Sequence, residues 1–290
     1  MFISVRIKKI AIPIILFLIV AIIMGVLFIP SFAKEEIKKM NSVPVPILMY
    51  HSILKDEARW NDYVLSPVEL EKDIVWLKEH GYRTVFVSEL VDYVNGDGKL
   101  PEKPVILSFD DGTYNNYTYV LPLLKKYDCK ATISIVGSFS EFACEEAEPS
   151  PTYSYLDWDD IKDMRKSGKV EIANHTYNMH CLGERRGIAM KNGECYEDYR
   201  HAFLADMIKT QHLLEDNCGF TPNVFTYPYG ITCDAGKRLV KNAGFLATLG
   251  VESRINYISK DNKDCLFDMG RFNRPSFIST EDFMKKCGIK

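Results

Sequence analysis

The sequence is short of the features that mark several function classes. Its 36 basic and 39 acidic residues nearly balance, for a formal net charge of −3. A nucleic-acid-binding chain would instead carry a concentrated basic surface, so no nucleic-acid partner is expected. There is no low-complexity tract and no internal repeat, which excludes linker-like and solenoid architectures. None of the eight cysteines forms a Cys-x-x-Cys pair, so a structural zinc site of the finger type is not expected. No Gly-x-Ser-x-Gly elbow occurs, which argues against a serine hydrolase. Histidine is scarce, at six residues, so their positions carry information.

One long uncharged run is present. Ile10 to Ile29 holds no charged residue and follows Arg6, Lys8 and Lys9. As a helix it would be about 30 Å long, the thickness of a bilayer's hydrocarbon core. Pro13 lies near its start, where a helix tolerates proline best. Residues 1–33 are therefore expected to be a cytoplasmic tip and a single membrane anchor through 10–29. The alternative is a signal segment cleaved near Ala33, in the small-residue sequence Ser31-Phe32-Ala33. Basic residues flank both ends, with Lys34, Lys38 and Lys39 after the run. The positive-inside rule is nearly tied, and a large C-terminal domain translocates largely regardless of such charges. The expectation is a single-pass cell-membrane protein, with residues 34–45 a stalk and residues 46–290 an extracytoplasmic, monomeric catalytic domain. Export permits disulfides, and Cys181 and Cys195, which flank a charged loop, are a candidate pair.

From Pro46 onward apolar runs alternate with helical patterns. Strands are predicted over 47–50, 83–87, 105–109, 131–136, 170–173, 224–227, 245–249 and 269–272. Helices are predicted from a Ser66–Glu69 capping box to about His80, then over 117–127, from Asp157 to Gly168, over 197–217 and 235–242, and from Thr280. This alternation predicts a parallel α/β sheet with crossover helices. Seven or eight such units close more naturally into a deformed (β/α) barrel of about seven strands than into an open sheet. Chemistry then belongs just after the strands, beyond Phe109, Ala173 and Tyr227.

The residues at those three places suit a metal hydrolase. Asp110-Asp111-Gly112 puts two carboxylates together; a cation on one would relieve their repulsion and leave the other free as a base. His175 and His180 lie five apart, about 140° on a helix, so they converge only if the segment is a loop. Thr226-Tyr227-Pro228-Tyr229-Gly230 forces a turn that can aim a backbone N–H into a pocket. Each alone also fits a blander reading: a solvated turn, two surface histidines, an aromatic turn. His80, His201 and His212 read as helix-surface residues.

In this order the segments resemble the motifs of the polysaccharide deacetylase family, the carbohydrate esterases built on the NodB homology domain. The similarity runs from about Val45 to Pro275. Ser108–Gly112 resembles the first motif, His175–His180 the second and Thr226–Gly230 the third. Leu156-Asp157-Trp158 resembles a pocket-lining tryptophan segment. The resemblance implies that Asp111, His175 and His180 bind a divalent metal, usually zinc, although cobalt and nickel suit the same donors. It implies Asp110 as general base and the Tyr229 N–H as oxyanion donor, with Tyr227, Pro228 and Trp158 at the substrate; Tyr114 is a further candidate there, as an aromatic that could stack on a sugar. The partner would be an N-acetylglucosamine-containing glycan, and the activity removal of its N-acetyl groups. A catalytically silent glycan-binding module and an O-acetyl esterase are the alternatives.

Three positions depart from the common pattern. The histidines are spaced by five rather than four. Threonine stands at 226 where an arginine usually orients the base; Arg271 and Arg274 are the candidate substitutes. No histidine follows His212, so the usual late general acid is missing. His51, after the first strand, is the candidate in its place, because barrel closure sets first and last strands side by side. This resembles a circularly permuted subgroup that includes exported poly-N-acetylglucosamine deacetylases.

Overall fold

The computed structural model describes residues 17, 18, 42–260 and 262–290. It divides into two units, Met1–Val43 and Pro44–Lys290. The expected anchor over 10–29 lies outside the described residues except for Phe17 and Leu18, which are helical and exposed. Among the described residues no helix is long and apolar enough to cross a membrane.

The second unit is built on eight strands: β1 (Ile47–Tyr50), β2 (Arg83–Thr84), β3 (Pro104–Phe109), β4 (Ala131–Ile135), β5 (Val170–Asn174), β6 (Val224–Thr226), β7 (Ala247–Leu249) and β8 (Phe272–Asn273). Seven follow one path, β7-β6-β5-β4-β3-β1-β8, and β2 pairs with β3 beside it. Every pairing among them is parallel. The path curls back on itself. Met269, three residues before β8, bridges Leu249 of β7, and the Met269 N–H donates to Thr248 O at 2.9 Å. The parallel, curled sheet expected from the alternation is therefore present.

β3 and β4 are buried at every position, as strands covered on both faces must be. The α-helices that alternate with the strands are α1 (Pro67–Glu79), α2 (Val87–Asn95), α3 (Leu121–Tyr127), α4 (Gly137–Ala143), α5 (Trp158–Lys166), α6 (Tyr196–Cys218), α7 (Asp234–Asn242) and α8 (Thr280–Lys286). Leu70, Ile74 and Leu77 of α1 join Leu107, Phe109, Ile133 and Ile161 in one large apolar cluster.

Several local expectations are corrected. The strand expected over 83–87 ends at Thr84, and Val87 opens α2. Val87, Leu90, Val91 and Val94 have helical spacing and are all buried. The N-terminus of α2 is completed by Glu171, whose carboxylate accepts from the N–H groups of Val87 (3.0 Å) and Ser88 (3.1 Å). An acceptor more than 80 residues away leaves no local signal, and the valines favour a strand reading. At α1, Ser66 caps Glu69 N–H at 3.0 Å, but the Glu69 carboxylate turns to Lys72 (2.6 Å) rather than back to the cap. Cys181 and Cys195, the candidate pair, are both free thiols. The Cys181–Cys195 loop is closed by a two-pronged Arg185–Glu194 ion pair, and Cys195 caps α6.

Candidate metal centre

The functional side chains sit at the C-terminal ends of the strands. β3 delivers Asp110 and Asp111. Asp111 has φ 72° and Gly112 has φ 64°, two successive left-handed residues. That kink turns both neighbouring carboxylates towards one cleft, which a continuing strand could not do. A side chain at Gly112 would press on Ile135 of β4 at 2.9 Å, so glycine is needed there for space as well as for φ.

β5 delivers the histidines. His175 N–H donates to Ile135 O at 3.0 Å. Thr176 then takes φ 74°, an uncommon conformation for a β-branched residue. It is held by its N–H to Asn174 Oδ1 at 2.8 Å and by its carbonyl to Gly137 N–H at 3.0 Å. Asp206 accepts from the N–H groups of Tyr177 and Asn178, both at 2.8 Å. The segment is a loop, as the spacing required, and the two rings come to 4.9 Å between centroids. Ligand atoms of Asp111, His175 and His180 all lie within 4.8 Å of one another. Nε2 of His180 is 3.1 Å and Nε2 of His175 is 3.7 Å from Asp111 Oδ1. Nδ1 of His175 lies 2.8 Å from Thr226 O, which can only accept, so Nδ1 carries the proton and Nε2 presents a lone pair.

These residues fit a divalent cation. Asp111 Oδ1 is buried with no hydrogen-bond partner, and it faces two imidazole nitrogens. Burial lowers the His175 pKa to about 4, so the ring is neutral near pH 7, as a ligand must be. Burial alone would raise the Asp111 carboxyl, but His180 and His175 outweigh it and bring it below its ordinary value.

Asp110 is held separately. Both its oxygens take a guanidinium nitrogen of Arg271, at 2.6 and 2.8 Å. Arg271 is wholly buried and also donates from Nε to Gly250 O at 2.6 Å. Burial pushes the Asp110 carboxyl up, and Arg271 with His175 more than reverses this, leaving it well below the usual carboxylate range. His51, at the end of β1, brings Nε2 to 3.9 Å from Asp110 Oδ2. The cleft holds about 690 Å³ and is lined by His51, Asp110, Asp111, His175, His180 and Tyr229, with Tyr63, Leu182 and Val251 among the other residues.

Other expected residues fall elsewhere. Arg274 pairs with Asp73, at 2.8 and 3.1 Å, under α1. Trp158 is buried in the core, and Tyr114 stacks on Tyr117; neither lines the cleft. Tyr227 and Pro228 are buried beneath it. Tyr63, edge-on to His51 at 4.9 Å between centroids, went unforeseen, as did the Thr226 carbonyl and the Tyr229 hydroxyl, which lies 3.1 Å from His180 Nδ1. A backbone carbonyl leaves no mark on a sequence. The tyrosine was visible, but only its N–H was assigned. The helix-surface reading of His80, His201 and His212 agrees with their exposure.

The sequence profile described as polysaccharide deacetylase matches residues 97–248, just over half of the chain. The chain is 25% identical over 248 residues to a poly-beta-1,6-N-acetyl-D-glucosamine N-deacetylase of Escherichia coli K12, covering 78% of this chain and 37% of that protein. It is 28% identical over 195 residues to the protein of the same name from Staphylococcus aureus MRSA252, covering 67% and 63%. It thus spans about a third to just under two thirds of these relatives. Among solved structures, a de-N-acetylase from Aggregatibacter actinomycetemcomitans superposes with a TM-score of 0.70 at 26% identity, over 84% of this chain and 99% of that one. IcaB from Ammonifex degensii shares the fold, with a TM-score of 0.67 at 23% identity, over 86% and 97%.

Proposed function

The chain belongs to the polysaccharide deacetylase family, and from that premise we propose that it is a metal-dependent hydrolase removing N-acetyl groups from N-acetylglucosamine units of an extracellular polysaccharide. The observation that carries this reading is the convergence of Asp111, His175 and His180 beside a separately held Asp110. The relatives named as poly-beta-1,6-N-acetyl-D-glucosamine N-deacetylases favour that polymer class over other surface glycans.

A divalent cation held by Asp111, His175 and His180, zinc before cobalt or nickel, would acidify water and polarise the acetyl carbonyl. Asp110 accepts a proton from the attacking water. Arg271 keeps that carboxylate ionised and fixes its plane, so its remaining lone pairs face the cleft. A base of such low affinity holds the proton only briefly. His51, with Nε2 3.9 Å from Asp110 Oδ2, protonates the departing amine. The Tyr229 N–H supports the developing oxyanion, and the exposed Tyr63 and Tyr229 rings offer flat faces to sugar. His51 and Arg271 both lie outside residues 97–248, so the acid and the base-orienting guanidinium come from the two ends of the catalytic domain, as in a permuted site.

A silent glycan-binding module drew its support from Thr226. Arg271 supplies the guanidinium that Thr226 lacks, and no other observation favours that reading. The membrane placement belongs to the same proposal: residues 10–29 anchor the chain, or are removed near Ala33, and the monomeric catalytic domain faces outward, where such a polymer is found.

The test is acetate release from β-1,6-linked N-acetylglucosamine oligomers and from peptidoglycan fragments, by protein stripped of metal and reloaded with zinc or cobalt. Asp110→Asn should lower the rate by about 10²–10⁴-fold, the usual worth of a positioned base. Undiminished release by this variant would remove Asp110 from the mechanism. Preference for an O-acetyl substrate would make the protein an esterase.

A further inference from the structure

The two histidines of the centre are held at Nδ1 in different ways. His175 is tied to Thr226 O, a backbone carbonyl that no side-chain change can remove. His180 is tied to the phenol of Tyr229, 3.1 Å away, with the rings 4.4 Å apart and tilted by 37°. Tyr229 reaches His180 from an unfavourable backbone. Its φ is 56° and ψ is 8°, in the left-handed region that a bulky side chain rarely adopts. The turn is crowded: a side chain at Gly230 would fall 2.1 Å from Val251 Cγ2. A conformation of this kind persists where the surroundings impose it, and here it brings one residue's backbone and side chain to the same cleft.

A hydroxyl can donate or accept, so the proton must be assigned from the other side of the ring. Nε2 of His180 is only 3.1 Å from Asp111 Oδ1, yet that oxygen has no hydrogen-bond partner. A ring that serves the cation must present Nε2 as a lone pair, so in the metal-centre reading that nitrogen is the unprotonated one. With Nε2 unprotonated, the neutral ring carries its proton on Nδ1 and donates it to Tyr229 Oη.

We propose that the Tyr229 hydroxyl is a positioning residue for the metal centre: it accepts from His180 Nδ1–H, so that the Nε2 lone pair faces Asp111 and His175. This rests on the metal-centre reading above and assigns to Tyr229 a side-chain role distinct from its N–H. Thr226 O and Tyr229 Oη together make both imidazoles the same tautomer, with both lone pairs turned to one point. An outer partner of this sort typically contributes about 10–100-fold to metal affinity.

Tyr229→Phe removes the hydroxyl while keeping the ring, the tilt against His180 and the backbone. Two measurements test the proposal. Two-bond proton–nitrogen NMR correlations on the metal-free protein report the tautomer of each histidine. Zinc affinity is measured by chelator competition, with the absorption of the cobalt form as a second reading of the ligand field. Wild type should show both His175 and His180 protonated at Nδ1. In the Phe variant His175 should be unchanged, His180 should become a tautomer mixture, and zinc affinity should fall about 10–100-fold. A wild-type His180 protonated at Nε2, or a Phe variant with unchanged zinc affinity, would overturn the proposal. Failure of wild type to take up zinc or cobalt would instead sink the metal-centre reading, while the tautomer of metal-free His180 would still decide this one.

Discussion

Arg271 resolves the most conspicuous anomaly of the chain. Threonine stands at 226, where the motif resemblance leads one to expect an arginine, and its hydroxyl lies 2.7 Å from Ser134 Oγ in the buried sheet. Arg271, two residues after the Met269 bridge to β7, takes both oxygens of Asp110. A two-pronged guanidinium–carboxylate contact fixes orientation as well as charge, which lysine cannot do. Arg271→Lys should therefore keep most of the stability but lose activity through geometry. In a variant lacking the cation, Arg271→Met, the Asp110 pKa must rise, because Arg271 is the main influence lowering it against burial. The sign follows directly: the base is useful only when ionised, so the acid limb of kcat/KM moves to higher pH. A pH–rate profile with an unmoved acid limb would show that Arg271 does not set the ionisation of Asp110.

Two elements carry polar groups whose energetics can be tested apart from chemistry. Under α1, Asp73 and Arg274 are both fully buried and doubly hydrogen-bonded, with Tyr50 and Thr280 completing the carboxylate. Removing one member of such a pair leaves the other charged and unpartnered, at a cost of about 3–5 kcal/mol. Asp73→Ala should lower unfolding stability by that amount in a denaturant titration and leave zinc affinity near wild type. At the start of α5, Asp160 is half-buried beside Asp157, and burial followed by that like charge raises its pKa to about 6. Its folded pKa lies above the ordinary 3.8, so the folded state binds the extra proton. Stability from this group is full at low pH and is lost as pH climbs from about 3.8 towards 6 and beyond. Asp160→Asn mimics the protonated form. It should raise Tm at pH 7.5 and change it little at pH 4; an equal shift at both values would refute the assignment.

The same elements show what was legible in the sequence. β3 holds an apolar run over 105–107 that reads as a covered strand, and its end locates Asp110. The His175–His180 segment could be recognised as a loop because five-residue spacing forbids a shared helix face. By contrast α2 goes unpredicted: the strand expected over 83–87 runs into its first residue, and Glu171, which accepts from its first N–H groups, comes from β5. The choice between Arg271 and Arg274 also lay beyond the sequence. They are three residues apart, and only the register of β8 against β1, with Met269 bridging β7, decides which reaches Asp110 and which reaches Asp73. Trp158 is assigned to substrate from a short motif resemblance and Tyr114 from residue type, and neither tells an aromatic in the core from one on a cleft wall.

At the scale of the whole molecule, the proposed outward orientation can be tested with thiols the protein already carries. Cys144 and Cys195 are free and exposed. Both belong to the unit Pro44–Lys290 and neither lines the cleft, so labelling them reports location without touching the proposed chemistry. A membrane-impermeant maleimide added to intact cells should label the full-length chain, and Cys144→Ser with Cys195→Ser should remove most of that signal. If the chain is labelled only after lysis, the catalytic domain faces the cytoplasm and an extracellular polymer cannot be its substrate. If the labelled chain appears in the medium, shortened to a mass that begins near Ala33, the segment over 10–29 is a cleaved signal rather than an anchor. The outcomes separate on one gel, because location and length are read from the same band.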